Sequence, residues 1–150
     1  MLHFEGTKDL ALPPDAVSGK LRDAGFLVEC IPGVESIKQS GSDDASCVIR
    51  PGFSFVRGTL EVNIHIAEAT EPAVVRLAIA SKGIGSSSQV DARMSISSQD
   101  SGSRVSWSAD VTELGGLLKA VPQGLLKASA QKVIQDVWNG VEAKLGPKGR

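Results

Sequence analysis

Apolar residues recur over 113–145 at Leu114, Leu118, Val121, Leu125, Ala130, Ile134, Val137, Val141 and Leu145. Steps of three, four or five draw one stripe along an α-helix, while Lys119, Gln123, Lys127, Gln131, Gln135 and Glu142 fall off it and face water. The spacing predicts a long helix over 113–145, whose apolar side the rest of the chain must cover. Pro122 and Gly124 interrupt it, because proline lacks the amide donor and clashes with the preceding turn. A kink or short break there divides the predicted helix into a short, gate-like segment and a long packed one.

Upstream, residues 2–12 put Leu2, Phe4 and Leu10 on one parity and His3, Glu5, Thr7 and Asp9 on the other, the pattern of a strand with one covered face. Pro13-Pro14-Asp15 ends it and opens a short helix over 14–23, with Val17 and Leu21 inward. A second short helix over 24–31 carries Phe26, Leu27, Cys30 and Ile31 and stops at Pro32-Gly33. From 34 to 112 the period is two. Strands are predicted over 34–39 and 45–50, joined by a hairpin loop at 40–44. After Pro51-Gly52, Leu60, Val62, Ile64 and Ile66 alternate with Thr59, Glu61, Asn63 and His65, and Glu71-Pro72 turns the chain. Val75, Leu77 and Ile79 form the inner parity of the next strand; Val90, Ala92, Met94 and Ile96 form that of its successor. Val105, Trp107, Ala109 and Val111 do so for the last. Gly83-Ile84-Gly85 and Asp100-Ser101-Gly102 mark the turns or bulges between them.

The predicted order is one strand, two short helices, six further strands and a long helix. Strict alternation with short turns argues an antiparallel meander, since a parallel sheet would need helical crossovers. The fold class is therefore α+β: a curved antiparallel sheet of about seven strands wrapped around a long C-terminal helix, with two short helices between strands 1 and 2. A twisted sheet of this size curls, and a helix laid across its concave side leaves a wedge that is a candidate pocket.

Composition narrows the function classes. With 150 residues, 41% of them hydrophobic and 22% charged, the chain has the size and balance of one soluble domain. That domain is expected over 1–145, with a short flexible tail over 146–150. A formal charge of -1 offers no basic surplus for a phosphate backbone, so nucleic acid is excluded as a partner and membrane contact is at most peripheral. No stretch approaches the roughly eighteen consecutive apolar residues of a membrane span, and the start lacks the basic-then-apolar order of a signal peptide. The expected location is cytoplasmic. Cys30 and Cys47 are too far apart for a close metal-ligand pair and too few for a disulfide framework. They read as buried free thiols, with a single disulfide between them as the alternative.

Catalytic signals are sparse. Gly83-Ile84-Gly85-Ser86-Ser87-Ser88 lacks the third glycine of a dinucleotide fingerprint and falls between strands, so it reads as a hairpin. His3 and His65 sit on polar parities without metal-ligand spacing, and the serines read as turn or wet-face residues outside any nucleophile elbow. Glu35 and Asp110 are the carboxylates to watch for a shifted pKa beside the pocket, and Arg57 and Arg93 for a polar head group; surface roles are the expectation for all four.

Several strings carry a family resemblance: Cys30-Ile31-Pro32-Gly33-Val34-Glu35-Ser36, Arg57-Gly58-Thr59-Leu60, Gly83-Ile84-Gly85, the run 104–111, and Gly115-Gly116-Leu117-Leu118. With the element order, they make the chain resemble the START-like (SRPBCC, helix-grip) superfamily and, within it, the family of the carbon monoxide dehydrogenase G-subunit. Pro51-Gly52 stands where that family often has Gly-Pro. The resemblance implies a sheet gripping a helix around an apolar cavity, and a role beside molybdenum hydroxylases of the carbon monoxide dehydrogenase type, in reaching the membrane and handling quinone.

On that footing the expected function is non-enzymatic binding of a hydrophobic small molecule, lipid or quinone-like, with no cofactor and with molybdenum hydroxylase subunits as the implied protein partner. The alternatives are an aromatase/cyclase-like enzyme using the same cavity and a ligand-free recruitment module. Phe26, Leu27, Ile31, Phe53, Phe55, Trp107, Leu117, Leu118, Val121 and Leu125 are expected to line the pocket at its open end. Ile134, Val137, Trp138 and Val141 are expected to pack at the closed end.

Overall fold

The computed structural model of the chain describes residues 2–50, 58–67 and 73–145. Its elements are β1 (His3–Leu10), α1 (Pro14–Leu21), α2 (Ala24–Cys30), β2 (Val34–Ser40), β3 (Asp44–Ile49), β4 (Leu60–Ile66), β5 (Val74–Gly83), β6 (Ser86–Gln99), β7 (Gly102–Gly116), a 3₁₀ turn (Leu117–Ala120) and α3 (Gln123–Leu145). The seven strands form one antiparallel sheet in the order β1-β7-β6-β5-β4-β3-β2.

Local chemistry sets the joints. Pro14 occupies the first turn of α1, where its missing amide costs nothing. The Asp23 carboxylate caps α2 by accepting from the Gly25 and Phe26 amides at 3.0 and 3.4 Å. Pro32 forces Ile31 into the extended region (φ -72°, ψ 132°) and ends that helix. Between β5 and β6, Ile84 and Gly85 both have positive φ (56° and 70°), as a tight two-residue hairpin requires.

Alternation then selects the faces. Val62, Ile64 and Ile66 of β4 are buried while Asn63 and His65 are exposed. On β1 the inward parity runs Leu2, Phe4, Gly6, Lys8, Leu10; the charged member, Lys8, donates to Glu142 Oε1 of α3 at 3.0 Å. Leu10, Val17, Leu21, Val28, Val105 and Val141 are buried together where α1, α2 and the last turns of α3 close one end of the sheet. A smaller cluster of Leu2, Phe4 and Val111 lies under the first half of α3 with Leu126, Ala130 and Ile134.

The C-terminal helix begins ten residues later than its apolar stripe predicts. β7 continues to Gly116, pairing Ser88 with Leu114, Ser87 with Gly115 and Ser86 with Gly116. Its register shifts between the Val90↔Val111 and Gln89↔Glu113 pairs, which leaves Thr112 as an extra residue whose Oγ1 donates to the Gln89 carbonyl at 3.2 Å. This bulge reverses the parity, so Leu114 instead of Glu113 faces inward. Gly116, at φ 62°, turns the chain into the 3₁₀ segment. The break expected near Pro122 falls at Val121, held extended (φ -78°, ψ 133°) by the following proline. Gly124 lies inside the first turn of α3 without interrupting it. The Pro51-Gly52 and Glu71-Pro72 breaks and the site residues Phe53, Phe55 and Arg57 lie outside the described residues, as does the tail over 146–150.

Candidate functional site

Between the sheet and α3 lies a cavity of about 590 Å³, inside the range of roughly 300–1,000 Å³ that ligand pockets occupy. Its floor is built in rows of register-paired residues across β4–β7. Ile64, Ile79, Val90 and Val111 form one row, Leu77, Ala92 and Ala109 the next, and Met94 and Trp107 a third. Its roof is Leu126, Ala130, Ile134, Val137, Trp138 and Val141 of α3. The Trp107 and Trp138 rings meet across the space with centroids 6.3 Å apart and planes tilted by 31°.

The roof is unevenly seated. Trp138, Val141 and Leu145 are buried, whereas no described residue of α3 before Trp138 is. The tight end is held by the Lys8–Glu142 pair and by Gly140, where a Cβ would stand 2.9 Å from the Cys30 carbonyl oxygen. The first two-thirds of α3 thus spans the cavity with half-covered side chains.

Of the residues expected to line the pocket, Leu27, Ile31, Trp107 and Leu118 are on its wall. Leu117 and Leu125 are 59% and 43% exposed and lie off the wall, because one residue rotates a side chain by about 120° in the 3₁₀ turn and about 100° in α3; Leu118 and Leu126 take the inward positions. Phe26 also lies off it, with Lys20 Nζ 5.7 Å over its ring, and Val121 is spent in the extended link before Pro122. Ile134, Val137, Trp138 and Val141, expected at the closed end, line the cavity instead, because α3 roofs it along most of its length.

Two serines correct the reading of that residue type as wet-face or turn. Ser81 and Ser88 are paired across β5 and β6 on the cavity wall, their hydroxyl oxygens 2.5 Å apart. The sequence held the signal, since Ser81 continues the Val75-Leu77-Ile79 parity and Ser88 that of Val90-Ala92-Met94.

Charged groups are engaged elsewhere. Arg50 and the Lys132–Asp136 pair border the cavity; Arg50 Nε donates to Glu35 Oε2 at 2.7 Å, and Lys132 Nζ to Asp136 Oδ2 at 3.0 Å. Asp110 is exposed and hydrogen-bonded to the His3 ring, a contact that raises the His3 pKa above its ordinary value. His65 makes a similar surface pair with Asp44 at 2.7 Å. Burial pushes the Cys30 thiol up to about 11 and raises that of Cys47. Both cysteines are free and buried. Among the described residues no group of three or more His, Cys, Asp or Glu is placed to hold a metal, and no helix is long and apolar enough to cross a membrane.

A seven-stranded antiparallel sheet curved around a long C-terminal helix, with an apolar space between them, defines a START-like helix-grip domain. A START superfamily protein from Mycobacterium smegmatis has this fold, with a TM-score of 0.70 over 95% of this chain and 96% of that one at 11% identity. A conserved protein from Geobacillus kaustophilus matches with a TM-score of 0.83 over 96% and 95% of the two chains at 21% identity. The chain belongs to the CoxG family, that of the carbon monoxide dehydrogenase G-subunit, whose sequence profile matches residues 6–146. No curated protein matches the sequence. Family and fold together point to a domain for hydrophobic ligand binding.

Proposed function

We propose that this protein is a non-enzymatic carrier of a hydrophobic small molecule, lipid or quinone-like, serving a molybdenum hydroxylase of the carbon monoxide dehydrogenase type. The observation that carries this reading is the cavity of about 590 Å³ walled predominantly by apolar side chains. Removing an apolar ligand from water contributes about 25 cal/mol per Å² of buried surface, and such a wall draws most of its binding energy from that burial. Leu27, Ile31, Trp107 and Leu118 are among the contacts assigned to the ligand, and the loosely seated first part of α3 is the gate that admits it. Membership of the family supports that partner, and the setting assigned to the carrier is cytoplasmic with at most peripheral membrane contact.

The open cavity favours this reading over a ligand-free recruitment module, which calls for a filled core. The paired state of the charged groups on the wall favours it over an aromatase/cyclase-like enzyme, which calls for an acid or base turned toward the substrate. The test is to incubate the purified protein with a panel of lipids and quinones, remove unbound material, extract into organic solvent and identify the contents by mass spectrometry. A stoichiometric apolar compound is expected. Recovery of none, from fresh or incubated protein, would sink the carrier reading.

A further inference from the structure

Resting on that carrier reading, we propose that the Ser81–Ser88 hydroxyl pair is the polar anchor of the cavity and selects an uncharged ligand head bearing a carbonyl or hydroxyl oxygen. The two serines occupy the centre of the row Val62, Ser81, Ser88, Leu114, which crosses β4–β7 two register positions from the β5–β6 turn. Leu117 binds that turn through its amide, which donates to the Gly85 carbonyl at 3.0 Å, so the row lies at the end of the sheet where the chain enters α3. The floor row beyond it toward Trp107 and Trp138 is Ile64, Ile79, Val90 and Val111, all aliphatic. Among the described residues of the floor, the serine row offers a polar end and the next offers an apolar bed for the rest of a ligand.

The chemistry of the pair fixes what that end can be. With the oxygens 2.5 Å apart, one hydroxyl donates to the other. The accepting serine keeps its own proton, and the donating serine keeps its lone pairs, so together they offer one donor and acceptor capacity to a third group. That suits a carbonyl oxygen or a hydroxyl. It does not suit an ionised carboxylate or phosphate, which once desolvated needs a countercharge. Among the described residues, the cations that border the cavity, Arg50 and Lys132, are bound to Glu35 and Asp136. Ser108 and Ser129 also border it, but Ser108 has the opposite parity to Trp107 and Ala109, and Ser129 lies on α3.

The experiment uses three probes of nearly one shape, 2-acetylnaphthalene, 2-ethylnaphthalene and ionised 2-naphthoate at pH 8, titrated into wild type and the Ser81→Ala/Ser88→Ala variant with tryptophan fluorescence as the readout. The variant should lose about threefold to tenfold in affinity for the ketone, the worth of one net hydrogen bond. Its affinity for the hydrocarbon should stay within about twofold, which also reports that the variant has folded; naphthoate should bind wild type more weakly than the ketone. Equal loss for ketone and hydrocarbon, no loss for either, or naphthoate binding wild type as tightly as the ketone would each overturn the anchor while leaving the carrier reading intact. Failure of all three to bind wild type would overturn the carrier reading itself and the anchor with it.

Discussion

Gly6 of β1 stands opposite Trp107 of β7, and the indole fills the space that any other residue's Cβ would take. A Cβ at position 6 would lie 2.8 Å from Trp107 Cζ2, well inside contact distance. Glycine weakens a strand unless something needs the room, and here the ring that helps wall the cavity needs it. Gly6→Ala should displace Trp107 from its contact with Trp138 and cost about 1–3 kcal/mol as an overpacking change. Urea unfolding gives the stability and near-ultraviolet circular dichroism the ring environment. An unchanged midpoint with an unchanged aromatic spectrum would mean that the ring does not depend on the missing side chain.

Two glycines in α3 should respond oppositely to the same substitution. Gly124 faces open space, with no atom within 4 Å of an added Cβ, so Gly124→Ala should stabilise by up to about 1 kcal/mol through helix propensity. At Gly140 the Cβ would meet the Cys30 carbonyl oxygen at 2.9 Å, a backbone atom that cannot swing away. Gly140→Ala should therefore lower stability by about 1–3 kcal/mol, overriding its propensity gain, as α3 is pushed off α2. Thermal melts of the two variants should move in opposite directions; a rise in both would show that α3 is not seated closely at Gly140.

Part of this seating was legible in the sequence. Strands with one wet face announce themselves by alternation, as β4 does, and Pro14 and Pro32 mark the short helices by their own chemistry, whereas Asp23, read as the end of the first, caps the second. The boundary between β7 and α3 was hidden because the Thr112 bulge reverses the strand's parity, which lets Leu114 sit on the inward face of a strand and on the apparent stripe of a helix alike. Helical phase was hidden by one residue. A stripe through Leu125 and Ala130 needs a step of five, whereas Leu126, Ala130, Ile134, Val137, Val141 and Leu145 step by four, four, three, four and four and are the positions turned inward. The serine pair was legible as inward parity but masked by its neighbours: Ser81 and Ser88 flank the turn at Gly83-Ile84-Gly85, where serine is also a common turn residue, and only the strand register shows that the two face each other.

The buried thiols carry a pH dependence whose sign is set by burial. The Cys30 pKa rises from an ordinary 9.0 to about 11 in the folded protein, and burial also raises that of Cys47. Below about pH 9 both thiols are protonated in the folded and unfolded chain, and the contribution to stability is fully present. Between about 9 and 11 the unfolded chain ionises while the folded one resists, so stability should fall as pH rises, by at most about 3 kcal/mol for Cys30. Urea midpoints measured from pH 8 to 10.5 should drop more steeply for wild type than for Cys30→Ala/Cys47→Ala. At pH 8 a thiol reagent should react with neither cysteine until denaturant is added; prompt labelling of the native protein would contradict the burial that sets the shift.

Filling the cavity separates its role in binding from its role in folding. Ala92 sits in the middle of the floor, between Leu77 and Ala109, and its small side chain faces the cavity that Ile134 and Val137 help to roof. A phenylalanine there would project into empty apolar space instead of into packed atoms, so it gains contacts without the strain of an overpacked core. Ala92→Phe should leave stability unchanged or raise it by up to about 2 kcal/mol, as cavity-filling substitutions do. The same change removes ligand volume, and an apolar probe that needs the central floor should lose about tenfold or more in affinity, the equivalent of about 1.4 kcal/mol. Thermal denaturation and probe titration on one preparation decide the matter. A large fall in stability would show that the space is already packed in solution, and undiminished binding by a well-folded Ala92→Phe variant would place the ligand elsewhere on the molecule.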